Sequence, residues 1–380
     1  MLTSSILLPL SPLSSESASG APGPDGAGRI RKDQWHLSYL RVTDAHRFSQ
    51  GEGVTVAVPD TGVDPHPDLR NNLLPGIDII AGGSGDGRED RDSHGTSMAG
   101  LIAAHGRVGG LGALGIAPKA KILPIFDSPP DGEGSPDSLA SSIEFALANG
   151  ADVISISAVA GASVRLQQAL DAARAADVVV VAAAGNRPED TDVRYPAAEN
   201  GVIAVGGVDR SGQHASVSVA GPRIDLVAPA VDIYSTSYDG KYSKGTGTSG
   251  ATAIVAGAAA LIRSKYPYLP AREVAHRLTA TAVDKGPPGR DDEYGYGVID
   301  IVAALTADVP PLGFESATAS APAGGDPSTT GAAAPSDEDS SVATVRGLVT
   351  LGVIVAAGTT WAVLARRRRR GDDPPPRISH

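Results

Sequence analysis

Short, unbroken apolar runs recur along the first three hundred positions, separated by longer mixed stretches and by turns rich in Gly, Pro and Asp. Val54 to Val58 is the first, followed by Ile122 to Phe126, Val153 to Ser157, Val178 to Ala183 and Val202 to Val205. Runs without polar alternation predict strands covered on both faces, as in a parallel sheet. Between them, helices are predicted from His94 to about Ala104, over Leu139 to Asn149 with Gly150 closing the end, over Val164 to Ala176 and over Ala251 to Ile262. A short amphipathic piece lies near Val42 to Phe48. Strands alternating with helices predict an α/β domain whose parallel sheet carries helices on both faces. Ligands in such sheets sit at the carboxyl ends of the strands, and Asp60 and Asn186 both fall just past strand ends.

The pattern changes after Ile301 to Leu305. Residues 309–342 are rich in Pro, Ala, Gly, Ser and acidic residues, which predicts a disordered linker. Residues 343–366 contain an uncharged stretch, Gly347 to Ala365, that would form about 28 Å of helix against a hydrocarbon thickness of ~30 Å. Trp361 lies near one end, and Arg366 to Arg370 follow directly. Arginines mark the cytoplasmic side, so residues 343–366 are predicted to span the plasma membrane, with 367–380 inside and the domain outside. At the other terminus, Ile6-Leu7-Leu8-Pro9-Leu10 followed by small residues resembles the tail of a secretory signal without its basic front. Residues 1–21 are therefore expected to be a signal-like remnant, left by a start placed too far downstream; a disordered tail is the alternative. Residues 22–50 form an N-terminal extension expected to pack on a domain spanning 51–308.

Composition narrows the chemistry. The chain of 380 residues carries a net charge of −11, which argues against a nucleic-acid partner. Aromatic residues make up only 4%, so small aliphatic side chains must fill the core. There are no cysteines, which excludes disulfides, thiolate metal sites and a cysteine nucleophile. The histidines outside the motif below (His36, His46, His66, His105, His214, His276 and His380) have no metal-ligand spacing and read as structural or surface residues. No metal and no cofactor is expected. The acidic loop Gly82 to Asp92 reads as a solvated loop, with calcium binding or steering of basic substrates as the alternative.

Three stretches bear on catalysis. Gly245 to Gly257 delivers Ser249 through a small-residue turn to the start of an apolar helix. There a hydroxyl can lie free beside the outward-facing N–H groups of a helix N-terminus, which suits a nucleophile that must stabilise an oxyanion. Taken alone it is an N-cap serine. Taken alone, Asp60 is a turn residue after a strand and His94 a capping group at a helix start. The three in the order Asp, His, Ser, each within a small-residue motif, are far more specific.

The residues around them resemble those of the subtilases. Val56-Ala57-Val58-Pro59-Asp60-Thr61-Gly62-Val63-Asp64 with His66-Pro67-Asp68-Leu69 resembles the family's aspartate motif. His94-Gly95-Thr96 with Ala99-Gly100 resembles its histidine motif. Gly247-Thr248-Ser249 with Ala251-Thr252 and Val255-Ala256-Gly257 resembles its serine motif. Ala182-Ala183-Ala184-Gly185-Asn186 looks like the loop that carries its oxyanion asparagine. The resemblance covers about residues 35 to 305. It implies a subtilisin-like fold in which Ser249 is the nucleophile, His94 the general base and then acid, and Asp60 the residue that orients the imidazole. It also implies that Asn186 donates to the oxyanion, that a polypeptide substrate binds as an added strand, and that Ser155, Ile156, Ser157, Ala182, Ala183 and Ala184 line the cleft.

Some positions depart from the family pattern. Pro59 replaces an aliphatic residue and removes a backbone donor beside Asp60. Gly250 and Ala253 replace a larger residue and a proline, and Ser97 replaces a second histidine. Pro59 and Ala253 are the departures expected to loosen the site. The Gln34-Trp35 segment, the single catalytic domain, the Pro-rich linker and the C-terminal anchor together resemble the mycosins, membrane-anchored subtilases associated with type VII secretion. That resemblance implies a membrane-anchored serine endopeptidase, with a type VII secretion membrane complex as a partner. A catalytically weak structural subunit of such a complex and a housekeeping extracytoplasmic protease are the alternatives.

Overall fold

The computed structural model describes residues 26–80, 85–128 and 135–313. The signal-like stretch 1–21, most of the linker 309–342, the apolar stretch 343–366 and the tail 367–380 lie outside them. Among the described residues no helix is long and apolar enough to cross a membrane.

Three short helices open the chain: α1 (Gly26–Asp33), α2 (Trp35–Tyr39) and α3 (Val42–Ala45). Then come β1 (Thr55–Asp60), β2 (Ile77–Asp78), α4 (His94–Ala103), a small hairpin of β3 (His105–Arg107) and β4 (Leu111–Leu114), and β5 (Lys121–Phe126). The chain continues through α5 (Pro136–Ala148), β6 (Val153–Ile156), α6 (Val164–Ala175), β7 (Val179–Ala183), β8 (Val202–Val208) and β9 (Leu226–Pro229). A second hairpin, β10 (Ile233–Thr236) with β11 (Tyr242–Gly245), precedes α7 (Thr248–Lys265), α8 (Ala271–Ala280) and α9 (Ile301–Thr306).

Seven strands form one sheet in the order β2-β5-β1-β6-β7-β8-β9, and every pairing in it is parallel. The unbroken apolar runs are explained by what covers them. Val56, Val58, Val153, Val179, Val181 and Val205 lie in one buried layer with α4 and α7. Ala57, Leu123, Ile154, Ile156, Val180 and Ala182 lie in the other, with α5 and α6. Alternate residues thus enter different layers, and both are apolar. Helix α7 lies inside the domain, with every residue from Gly250 to Arg263 buried. Its Ala and Gly residues let neighbours approach closely, which is how a chain poor in aromatics fills its centre.

Local chemistry sets the element ends. Helix α5 begins three residues before the predicted Leu139, because Ser135 caps it by accepting the Ser138 N–H at 3.0 Å and Pro136 occupies the first turn. Strand β1 runs through Pro59 to Asp60, where an end at Val58 is predicted. The Asp152 N–H donates to the Thr55 carbonyl on the β6 side, and the Asp127 N–H to the Asp60 carbonyl on the β5 side. Odd-numbered residues of β1 therefore face β6. Pairing of β1 with β6 is confined to Val56↔Val153 and Ala57↔Ile154, so the ladder stops at the rung that the imide nitrogen of Pro59 would have to supply. Its register with β5, Pro59↔Ile125, is intact. The missing donor thus shortens the pairing with β6 and leaves the pairing with β5 unbroken.

The N-terminal helices are tied to the domain. Gln34, almost fully buried, donates to the carbonyls of Leu114 at 3.0 Å and Tyr234 at 3.3 Å and accepts from the Leu114 N–H at 2.9 Å. The Trp35 indole donates to the carbonyls of Val231 and Asp232 at 3.2 and 3.1 Å.

Candidate active site

Asp60 ends a central strand and His94 opens α4, and their side chains meet with Nδ1 of His94 2.7 Å from Oδ1 of Asp60. Oδ1 also accepts the Thr61 N–H at 2.8 Å. The carboxylate is buried at 3% exposure, whereas the imidazole is 35% exposed, so one edge of the ring faces an opening. The close approach depends on Gly95. A Cβ there would lie 2.0 Å from the Gly62 carbonyl oxygen, so a larger residue would push the helix start off the Asp60 turn.

His94 is a much stronger base than an ordinary imidazole. Burial works against its charged form, but the Asp60 carboxylate and its hydrogen bond, with help from Asp92 and Asp90, push its pKa up to about 9. When neutral, with Nδ1–H donated to Asp60, the ring offers a lone pair at Nε2.

Ser249 is the second residue of α7. Its hydroxyl donates to the Ser157 carbonyl at 2.8 Å, and the Ser157 hydroxyl donates to the Ser249 carbonyl at 3.2 Å. Extending the β1–β6 register puts Ser157 level with Asp60, one strand spacing of about 4.8 Å away. The structure thus brings Asp60 and His94 into direct contact and sets Ser249 at the adjoining strand end. The bond that the hydroxyl makes runs to Ser157, not to the imidazole.

Asn186 lies three residues past β7 and is half-buried. Its side-chain carbonyl accepts from the Thr248 N–H at 2.9 Å and from the Thr248 hydroxyl at 3.2 Å. Those bonds fix the carboxamide so that its NH2 group is the end left for another acceptor. Gly247 allows this packing, since a Cβ there would lie 3.3 Å from Nδ2. The Asn186 amide and the unpaired N–H groups in the first turn of α7 form a donor set suited to a negatively charged oxygen.

The other predicted lining residues sit deeper. Ser155, Ile156, Ala182, Ala183 and Ala184 have buried side chains, with Ile156 and Ala182 in the layer under α5 and α6. Their backbones and the Ser157 hydroxyl are what this strand end can offer a ligand. Among the described residues no group of His, Cys, Asp or Glu could hold a metal ion.

Two acidic residues stand out that sequence reading did not single out. Asp90, in the loop read as solvated, is buried and accepts five hydrogen bonds. Asp127, at 3% exposure, follows β5 and accepts from the hydroxyls of Ser142 and Ser128. Of the other histidines, His36 and His66 are fully buried, and His46 meets the Ile116 carbonyl at 2.8 Å.

Comparison with known proteins identifies the family and the fold. The profile described as the Subtilase family matches residues 51–297. The thermostable alkaline protease of Halalkalibacterium halodurans is 39% identical over 268 residues, covering 70% of this chain and 71% of that protein. Mycosin-1 of Mycobacterium tuberculosis is 37% identical over 335 residues, covering 73% of this chain and 74% of that protein. The crystal structure of MycP1 with its N-terminal propeptide removed superposes with a TM-score of 0.66 at 34% identity, covering 73% of this chain and 98% of that one. The MycP3 protease from the type VII (ESX-3) secretion system gives a TM-score of 0.63 at 36% identity, covering 72% of this chain and 88% of that one. With a parallel sheet that ends in this carboxylate–imidazole pair and relatives named as proteases, the chain belongs to the subtilase family and is a mycosin-like serine protease.

Proposed function

We propose that this protein is a membrane-anchored serine endopeptidase that cuts polypeptides through Asp60, His94 and Ser249 and works with a type VII secretion complex. The observation that carries the catalytic part is the 2.7 Å Asp60–His94 bond beside a serine in the first turn of α7. In the first step the Ser249 hydroxyl leaves the Ser157 carbonyl and gives its proton to Nε2 of His94 as Oγ attacks the substrate carbonyl. Asp60 holds the imidazole in orientation and offsets the charge it gains. The new oxyanion accepts from the Asn186 amide and the Ser249 N–H. His94 then protonates the leaving amine, and a water molecule repeats the sequence on the acyl-enzyme. Substrate lies alongside the Ser155–Ser157 and Ala182–Ala184 backbones as an added strand.

The secretion part rests on likeness to Mycosin-1 and to MycP structures whose descriptions name type VII systems. Anchoring rests on the sequence. The uncharged stretch within 343–366, followed by Arg366 to Arg370, would fix the chain in the plasma membrane as a single pass. The linker 309–342 would then join the span to a peptidase domain at 51–308 on the extracytoplasmic side, with 367–380 in the cytoplasm. Residues 1–21 would be the export-signal remnant and 22–50 an extension held on the domain.

A serine-directed fluorophosphonate tests the catalytic reading. The purified full-length chain in detergent is expected to be labelled at Ser249, and Ser249→Ala to lose the label. Unchanged labelling of Ser249→Ala would end the proposal. For the anchor, protease digestion of intact cells should remove the domain and leave a tail fragment with the membranes.

A further inference from the structure

We propose that Asp90 is a positioning residue that locks the helix carrying His94 onto the strand end carrying Asp60, and so sets the separation of the two. This rests on the catalytic reading above. Asp60 and His94 are separated by 33 intervening residues, and one belongs to the sheet while the other belongs to a helix that packs on it. Something must join these two bodies close to the bond between their side chains.

The Asp90 carboxylate does so with both oxygens. Oδ1 accepts the Thr61 hydroxyl at 3.0 Å, the Asp92 N–H at 2.9 Å and the Ser93 N–H at 3.0 Å. Oδ2 accepts the Thr96 N–H at 2.9 Å and the Thr96 hydroxyl at 2.6 Å. Thr61 is the residue after Asp60, and Ser93 is the residue before His94. The ring closes through the Gly95 N–H, which donates to the Thr61 hydroxyl at 3.0 Å. A second link runs from the Asp64 N–H to the Thr96 hydroxyl at 2.9 Å. Ser93 and Thr96 are thereby connected to the Asp60 turn through the buried Asp90 carboxylate, and Gly95 through the Thr61 hydroxyl.

The group must be a carboxylate. Five donors converge on it and each oxygen accepts at least one backbone N–H, so an amide in its place would aim an NH2 group at an N–H donor whichever way it turned. Asp90 also takes the place of the missing cap. Ser93, the N-cap residue, has a positive φ of 89° and makes no side-chain capping bond, so the free N–H at Thr96 is met by Asp90 instead. The negative charge at a helix N-terminus is favourable as well.

The test compares wild type, Asp90→Asn, Thr61→Val, Thr61→Ser and Ser249→Ala as full-length chains, using fluorophosphonate labelling resolved into kinact and KI across pH. Asp90→Asn is expected to lower kinact by about 10–100-fold while KI changes little, since the imidazole is misplaced and the binding surface is not. The midpoint of its pH profile should also move to lower pH, because His94 loses the charge of Asp90 and some of its grip on Asp60. Thr61→Val should show the same pattern more weakly, and Thr61→Ser should restore wild-type behaviour. If Asp90→Asn does not fold, the Thr61 pair decides the matter through the same two readouts. Wild-type kinact and midpoint in Asp90→Asn, or in Thr61→Val where only that folds, would overturn the proposal. A loss of labelling accompanied only by a lower melting temperature, with the midpoint unmoved, would overturn it too. Labelling that survives in Ser249→Ala would instead remove the catalytic reading beneath it.

Discussion

Asp127 donates its backbone N–H to the Asp60 carbonyl at 3.0 Å, joining the ends of two neighbouring strands, and keeps its own carboxyl buried a short way behind the site. Burial drives that carboxyl's pKa up to about 7, aided by the charge of Asp60 and opposed by the hydroxyls of Ser142 and Ser128. The folded protein therefore holds a proton on Asp127 that the unfolded chain gives up near pH 4. Stability is expected to fall as pH rises from about 4 to 7, by up to roughly 4 kcal/mol. Asp127→Asn should flatten that slope and be at least as stable as wild type at pH 8. Urea unfolding at several pH values measures this, and an unchanged slope in the variant would assign the pH dependence elsewhere.

The raised basicity of His94 has a matching consequence for turnover. General-base catalysis needs the neutral ring, so activity should rise with pH through a midpoint near 9 in the resting enzyme. Asp60→Asn removes the largest stabiliser of the imidazolium, which should bring the midpoint down toward the ordinary value of about 6.5 and cut kcat by about 10⁴-fold. The stability contribution runs the other way in pH: a raised histidine pKa favours folding most below about 6.5, and that contribution is lost as pH passes through 9. Hydrolysis of a chromogenic peptide followed from pH 6 to 10 gives both midpoints.

Asn186→Ala should lower kcat by about 10²–10³-fold, equivalent to about 3–4 kcal/mol, with KM little changed. The fixed carboxamide has no substrate partner to lose in the ground state, so the loss should fall on the chemical step. An effect confined to KM would point to a binding role instead.

Much of this architecture was legible in the order of residues, for reasons visible in the molecule. The strands β1, β5, β6, β7 and β8 are buried on both sides, and a doubly buried strand has to be spelled in Val, Ile and Ala. Helix α7 was legible because its interior position leaves no room for charge before Arg263. The two hairpins were not, since β3 and β11 hold His, Gly, Arg, Lys and Ser, and such residues look like loop. Within the site, Asp60, His94, Ser249 and Asn186 could be picked out by their small-residue surroundings. Asp90 could not, because Glu89, Asp90, Arg91 and Asp92 read as one charged surface run and only the fold turns the second of them inward. Pro59 had looked disruptive. Its nitrogen faces β6 and its register with β5 stays whole, and which strand lies on which flank is a property of the sheet.

Gln34→Ala offers a check on the N-terminal helices. The side chain satisfies groups on β4 and β10 at once, and its loss would leave the N–H and carbonyl of the half-buried Leu114 without that partner. A loss of about 1–3 kcal/mol is expected, with kcat unaffected if the catalytic groups keep their geometry. Calorimetry together with a peptide assay separates the two.

The proline before Asp60 leaves that strand tip laced to its sheet along one margin only, the margin shared with β5. Travel of that tip toward the serine's neighbourhood would stretch the Asp127 N–H bond to the Asp60 carbonyl, because the serine lies on the opposite flank from β5. The spacing between acid and nucleophile is therefore anchored from one flank alone, by the strand that lies on the far side of the acid.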